Sequence, residues 1–262
     1  MTLHTHSRSF GQGPRKALGI HCTLAHSGAL KGLGVALGDQ ATLLAYDLPS
    51  HGQSGDWDRK GNVHDVATDM GRALLTEPMD LIGHSFGATV AMRLAIEMPE
   101  MVRSLTMFEP VYFAAAMEDA PALWETYDAQ NSAFADAYAS GDMMEAARTF
   151  NRGWGDGTKW DAIPDTLRQY MADRIHFVPA SAPFLFHDSA NLLAGNRFAQ
   201  AMMPTLLMRG DQSSDTTIAI NASLEKRLPD VRSVVVERAG HMAPITHAKR
   251  IAAEISKFWA SL

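Results

Sequence analysis

The stretch DLIGHSFGATVAMRLA, residues 80–95, decides the fold of this chain. It begins with apolar residues typical of a buried strand, passes through a serine that stands between two glycines, and continues at once with helical spacing. No polar spacer separates the two patterns. The stretch therefore predicts a sharp strand-to-helix turn with Ser85 at its tip.

A turn of this kind is the setting of a nucleophilic serine. It holds the serine in a strained backbone conformation, and glycines such as Gly83 and Gly87 let the strand and the helix pack without Cβ clashes. The pattern is short, and an ordinary strand-to-helix turn is the competing explanation. The presence or absence of catalytic partners elsewhere in the chain distinguishes a nucleophilic serine from an ordinary turn.

A histidine near the end of the chain is the first such partner. A serine hydroxyl becomes a good nucleophile when a histidine takes its proton, and an acid must orient that histidine. His241 follows the last predicted strand on a glycine-containing loop, at the sheet edge where ligands of α/β proteins bind. We therefore predict that His241 is the general base, whereas His247 belongs to the start of the last helix.

The rest of the chain alternates strand-like and helix-like runs. The strand-like runs are residues 16–22, 41–48, 78–84, 102–110, 204–210 and 231–237. This alternation predicts an α/β fold with a mostly parallel sheet covered by helices on both faces. Residues 111–202 have mainly helical patterns and predict a cap, so the predicted core consists of residues 1–110 and 203–262.

Composition and charge exclude several functional classes. The formal charge of −6 and the lack of any Lys/Arg-rich run argue against a nucleic-acid partner. No apolar run has the length of a membrane span, the first residues lack a signal-peptide pattern, and the single Cys22 suits a reducing cytoplasm. Only His4 and His6 offer closely spaced metal ligands. We expect a cytoplasmic monomer or homodimer that acts on a small molecule without metal or cofactor.

Three motifs together resemble the α/β-hydrolase superfamily over nearly the full chain. They are YDLPSHGQSG at 46–55, GHSFG at 83–87 and AGHMAPITH at 239–247. The resemblance implies the α/β-hydrolase fold, with a helical cap inserted after strand 6. It also implies the catalytic triad of a cap-bearing serine hydrolase of the esterase type.

The resemblance further implies an oxyanion hole. The N–H group of Phe86, directly after the nucleophile, is one expected donor. The family usually takes the second donor from a His-Gly-x segment. Here His21 stands at the histidine position, Cys22 replaces the glycine, and Thr23 falls at the donor position. Cys22 is interpreted as a small packed thiol rather than a catalytic group.

The acid of the triad has competing candidates. The superfamily commonly carries it in a G-x-x-D segment after the penultimate strand, where this chain has Ser213 between Asp211 and Asp215. A subset that includes the haloalkane dehalogenases places the acid at the end of strand 6, where this chain has Glu109. We predict Glu109, because it leaves a core strand directly. Asp211 and Asp215 are the alternatives; Asp215 is also a candidate helix cap, and Glu109 a candidate salt-bridge partner.

The predicted cap is rich in aromatic residues, most of which are expected to pack it against the core. Trp154 in the cap and His26 are the predicted substrate contacts. With no arginine cluster to anchor an anion, we expect a carboxylesterase that acts on a small, mainly apolar ester through an acyl-enzyme. A C–C bond hydrolase and a lactonase are alternatives with the same triad. A non-catalytic ligand-binding protein on the same fold is the alternative from another class.

Overall fold

A seven-stranded sheet forms the centre of the molecule, whose computed structural model describes residues 3–262. The strands in chain order are β1 (Ser7–Phe10), β2 (Arg15–Ile20), β3 (Ala41–Tyr46), β4 (Met79–His84), β5 (Val102–Phe108), β6 (Thr205–Gly210) and β7 (Val231–Val236). Their spatial order is β1-β3-β2-β4-β5-β6-β7. All neighbouring pairs are parallel except β1 with β3, so the sheet is mostly parallel, as predicted.

Helices cover both faces of this sheet. Those of the core are α1 (Lys31–Leu37), α2 (Val63–Leu74), α3 (Phe86–Glu97), α10 (Asp215–Arg227), α11 (Ala243–Thr246) and α12 (Ala248–Trp259). Because side chains of a strand alternate between its faces, Leu81 joins the apolar cluster that contains α2 and α3, while Ile82 joins the cluster that contains α1 and α12. The two clusters hold the sheet between them.

The register of the central strands brings their carboxyl ends to one line. His84 at the end of β4 lies opposite Phe108 at the end of β5, and Phe108 lies opposite Met208 of β6. Because parallel strands all end at the same edge, the residues that follow them are neighbours. Ser85 and Glu109 are therefore adjacent at this edge, although 24 positions separate their strand ends in the sequence.

Six α-helices lie between β5 and β6: α4 (Phe113–Asp119), α5 (Leu123–Ala139), α6 (Met143–Trp154), α7 (Asp165–Arg174), α8 (Phe177–Ala180) and α9 (Ala182–Leu185). Several of them share a small apolar cluster with Leu24 of the core, which places this insertion over the carboxyl edge of the sheet. The strand that precedes the insertion is β5 in this chain's own order; it is the strand directly before Glu109 that the family numbering counts as strand 6. The cap limits 111–202 stay a prediction.

Two elements differ from the sequence prediction. The edge strand β1 was not predicted; it pairs antiparallel with β3 alone. The pattern of residues 245–259 predicts one closing helix, but His247, whose φ of −123° is not helical, separates α11 from α12. Within residues 3–262, no helix is both long and apolar enough to cross a membrane.

Candidate active site

Ser85 occupies a sharp turn between β4 and α3. Its φ of 56° and ψ of −119° lie in a region that side-chain-bearing residues rarely adopt, and its N–H donates to the carbonyl of Phe108 at 3.0 Å. The flanking glycines are sterically required. A Cβ atom on Gly83 would lie 2.4 Å from the Cα of Ala88, and one on Gly87 would lie 2.2 Å from the carbonyl oxygen of Ile20. This geometry is the sharp strand-to-helix turn predicted at Ser85, which a nucleophile elbow requires.

Glu109 and His241 form a hydrogen-bonded pair at the same edge. The Nδ1 atom of His241 lies 2.7 Å from Oε2 of Glu109, and the carboxylate is 1% exposed. The other carboxylate oxygen accepts hydrogen bonds from the N–H of Gly210, at 2.9 Å, and from the hydroxyl of Ser213. Burial favours a higher pKa for Glu109, but the His241 ring and the other two donors outweigh it and lower the pKa below its ordinary value.

The alternative acids, Asp211 and Asp215, are not hydrogen-bonded to His241. Asp211 is exposed and accepts a hydrogen bond from the N–H of Ala239 at 3.1 Å. Asp215 is exposed at the first turn of α10. It was also a candidate N-cap, and this was wrong, because Ser214 precedes the helix and its hydroxyl accepts from Thr217 N–H. The residue at the family's usual acid position, Ser213, instead donates to Glu109.

His241 is enclosed by side chains from the core and the insertion. Its side chain is 10% exposed, and its ring meets the Trp154 ring edge-on with the centroids 4.8 Å apart. The Nε2 atom of His84 donates to the main-chain oxygen of His241 at 2.8 Å. Among the described residues, no hydrogen bond joins the hydroxyl of Ser85 to the ring of His241, whose Nδ1 atom contacts Glu109 instead. Contacts between a catalytic base and its partner are often long when no substrate is bound.

The two predicted oxyanion donors, Phe86 and Thr23, both lie near the serine. Phe86 is the first residue of α3, where the N–H groups have no partner within the helix. Thr23 lines the same cavity as Ser85. Cys22 is buried beside Thr23, and burial raises the pKa of its thiol to about 12, so the sulfur stays protonated and inert.

Two buried histidines fix the loop that carries Thr23. The N–H of Leu24 donates to Nε2 of His51 at 3.1 Å, and the N–H of Leu48 donates to Nε2 of His21 at 3.0 Å. In both rings Nδ1 faces a carbonyl oxygen and therefore carries the hydrogen. Burial lowers the pKa of His21 to about 4 and that of His51 to about 3, so both rings are neutral near pH 7. The role of His51 was not predicted, although it lies within the YDLPSHGQSG motif.

A cavity of about 50 Å³ opens beside the serine. Its lining is mainly apolar and consists of Thr23, Ser85, Val111, Phe113, Tyr127, Phe150, Trp154, Val178, Ser181, Leu185 and Phe186. Trp154, a predicted substrate contact, is part of this lining. His26, the other one, is not; its Nδ1 atom accepts from the N–H of Gly28 at 3.1 Å. Within residues 3–262, no group of three or more His, Cys, Asp or Glu side chains is arranged to hold a metal ion.

Comparisons with known proteins identify the family. Residues 19–254 match the model of the alpha/beta hydrolase family, and the chain belongs to that family. A pimeloyl-[acyl-carrier protein] methyl ester esterase of Neisseria meningitidis is 29% identical over 215 residues, which cover 80% of this chain and 79% of that protein. Lipase LipV of Mycobacterium tuberculosis is 26% identical over 272 residues, which cover 97% of each chain.

Solved structures show the same fold. A bromoperoxidase from Bacillus anthracis superposes with a TM-score of 0.74 at 18% identity, over 98% of this chain and 96% of its own. An alpha/beta hydrolase from Sphaerobacter thermophilus superposes with a TM-score of 0.70 at 21% identity, over 97% of this chain and 96% of its own. At this level of identity the likeness concerns the fold alone.

Proposed function

We propose that this chain hydrolyses carboxylic esters, with Ser85 as nucleophile, His241 as general base and Glu109 as the acid that orients the histidine. The observation that carries the proposal is the 2.7 Å contact between Glu109 and Nδ1 of His241, beside a serine at a nucleophile elbow. A carboxylate at Nδ1 leaves Nε2 free of hydrogen, which is the tautomer that can accept the proton of a serine hydroxyl.

The first half of the proposed reaction acylates Ser85. Its oxygen attacks the ester carbonyl carbon while His241 takes the hydroxyl proton at Nε2. The resulting imidazolium is stabilised by the Glu109 carboxylate, whose lowered pKa keeps it ionised. The carbon–oxygen bond to the alcohol then breaks, and His241 passes the proton to the departing alcohol oxygen. The acyl group remains on Ser85.

The second half of the reaction frees the enzyme: water is now the attacking group, and Ser85 is the leaving group. Water attacks the acyl carbon, His241 takes a proton from it, and the proton returns to Ser85 as the carboxylic acid leaves. In both halves the carbonyl oxygen becomes negative, and the N–H groups of Phe86 and Thr23 are the proposed donors to it. Loss of one such donor typically lowers kcat by about 10² to 10³. No step requires a metal or a cofactor.

The cavity limits the acyl group that fits. A volume of about 50 Å³ is about four times that of one water-sized sphere, so the cavity is small. Its apolar lining favours an uncharged acyl chain. We therefore propose short-chain esters as substrates. Relatives include proteins named as methyl ester esterases and a lipase, so methyl esters belong among the substrates to test.

A graded series of esters tests the proposal. Methyl and p-nitrophenyl esters from acetate to decanoate are offered to the wild-type protein, to Ser85→Ala, and to Ser181→Ala as a matched control. Ser181 lines the same cavity but belongs to the insertion, directly before α9. We expect hydrolysis of the short esters by the wild type and by Ser181→Ala, and a loss of about 10⁶ in kcat for Ser85→Ala. Equal rates for Ser85→Ala and wild type would contradict the proposal.

A further inference from the structure

His84 links the nucleophile's strand to the loop of His241. Its Nε2 atom lies 2.8 Å from the main-chain oxygen of His241, and its ring centroid lies 5.1 Å from that of His241. A carbonyl oxygen only accepts hydrogen bonds, so Nε2 of His84 must carry a hydrogen. The residue directly before Ser85 thus holds the main chain of the proposed base.

The other ring nitrogen of His84 then needs a donor. The ring is 2% exposed, and burial together with the nearby His241 lowers the pKa of His84 well below its ordinary value. The ring is therefore neutral, and Nδ1 carries a bare lone pair. Within residues 3–262, Nδ1 has no hydrogen-bond partner, and leaving a buried acceptor unsatisfied is costly.

A second buried polar atom without a partner in the described chain lies close by. It is the hydroxyl oxygen of Thr106, on β5. Thr106 pairs with Ile82 in the sheet, and Ile82 and His84 lie on the same face of β4. The side chains of Thr106 and His84 consequently lie on one face of the sheet, two residues apart along the strand direction.

Both residues line one small cavity. Its volume is about 10 Å³, and the rest of its lining is mostly apolar: Leu30, Leu33, Ile82, Gly83, Phe108, Met208, Pro244 and Ile251. A volume of this size is that of about one water-sized sphere. A buried water molecule typically serves two to four polar atoms that would otherwise be unsatisfied, and this cavity supplies two of them.

We infer that one internal water molecule occupies this cavity, joins the Thr106 hydroxyl to Nδ1 of His84, and so makes His84 a positioning residue for His241. The water donates one hydrogen to Nδ1 and accepts the hydroxyl hydrogen of Thr106. This arrangement fixes the Nε2–H tautomer of His84, which is the tautomer that holds the His241 carbonyl. His241 is then fixed at two points from the same strand. Glu109, at the end of β5, contacts its ring, and Thr106 of β5 acts on its main chain through the water and His84.

The water and the tautomer are tested without any assay of activity. A high-resolution crystal structure is expected to show one water within about 2.7–3.2 Å of both Thr106 Oγ1 and His84 Nδ1. ¹⁵N NMR of histidine-labelled protein is expected to show His84 neutral, with its hydrogen on Nε2. A dry cavity, or a hydrogen on Nδ1 of His84, overturns the inference whatever the enzyme's substrate is.

Two substitutions at Thr106 separate the hydroxyl from the side-chain shape. Thr106→Val keeps the shape and removes the hydroxyl, whereas Thr106→Ser keeps the hydroxyl. We expect the serine variant to retain the water and the tautomer. The valine variant should lose both and lower kcat about two- to tenfold with little change in KM, the size expected for one hydrogen bond.

The kcat measurement rests on the proposed function, whereas the crystal structure and the NMR spectrum do not. A failure of this inference can therefore be distinguished from a failure of the proposed function. The inference is overturned if Thr106→Val keeps the water, the tautomer and the kcat of the wild type. If the valine variant does not fold, the wild-type and Thr106→Ser structures and spectra decide the question alone.

Discussion

The Nδ1 atom of His241 lies 2.7 Å from Oε2 of Glu109, across 132 residues of sequence. The carboxylate leaves the end of β5, one strand beyond that of Ser85, and the histidine comes from the loop after β7. Because β5 is an inner strand of the sheet, Phe108 is paired on both sides, and the N–H of the next residue, Glu109, donates to the carbonyl of Met208 at 2.9 Å. The histidine loop is therefore oriented by a rigid part of the core.

The first prediction concerns the acid. Glu109→Gln should lower kcat by about 10⁴, because the amide cannot select the histidine tautomer that accepts a proton at Nε2. The measurement is kcat on a short ester, with circular dichroism to check folding. Asp211→Asn and Asp215→Asn are matched controls, since both carboxylates are exposed and neither is hydrogen-bonded to His241. An active Glu109→Gln beside an inactive Asn variant would place the acid after β6.

The second prediction concerns the steric requirement at the elbow. Gly87→Ala should destabilise the protein by about 1–3 kcal/mol or more, because the new methyl group meets the carbonyl oxygens of Ile20 and His21 at 2.2 and 2.5 Å. Those carbonyls belong to the segment before Thr23, so activity should fall as well. The control is Gly153→Ala in α6, where a Cβ meets nothing within 4 Å. It should be neutral or slightly stabilising in urea unfolding.

The third prediction follows from the pKa of His51, which burial lowers from 6.5 to about 3. As the pH falls below 6.5, the unfolded chain binds a proton that the folded chain excludes, so the free energy of unfolding decreases. One such group lowers it by about 2 kcal/mol between pH 6.5 and pH 5. His51→Gln removes the side chain that binds this proton in the unfolded chain. Its unfolding free energy should change by about 2 kcal/mol less over this range than that of the wild type; identical pH slopes would show that His51 is not buried and neutral.

The fourth prediction concerns the length of the acyl chain. Val178 lines the cavity beside Ser85 and is only partly buried, so Val178→Ala should enlarge the cavity at a small cost in stability. The preferred ester should become one or two carbons longer, measured as kcat/KM across the series. Val35→Ala, on an exposed part of α1, is the matched control. An unchanged preference in Val178→Ala would mean that the acyl chain does not occupy this cavity.

Residues at strand ends were the part of the site that the sequence could predict. The elbow around Ser85 and the exit of Glu109 from β5 depend on short local patterns, and parallel topology then makes them neighbours. The pairing of β1 was not predictable in this way, because its four residues, SRSF, have no strand pattern without the partner β3. Local periodicity also did not reveal the break at His247.

The contacts of loops with side chains far away in sequence were the other part that escaped prediction. The hydrogen bond of His51 to Leu24 and that of Ser213 to Glu109 span 27 and 104 residues. Neither residue lies in a periodic element, so only the folded backbone brings the partners together. Ser213 is instructive, because it stands where the family usually carries the acid, yet its hydroxyl donates to the predicted acid, Glu109.

The central claim is that Ser85 is the nucleophile, and covalent labelling measures this most directly. The protein is treated with a fluorophosphonate probe, and the site of the adduct is found by mass spectrometry of peptides. Ser181→Ala, from the same cavity, serves as the control. We predict one adduct, on Ser85, that is retained in Ser181→Ala and absent in Ser85→Ala. An adduct on another residue, or full labelling of Ser85→Ala, would contradict the claim.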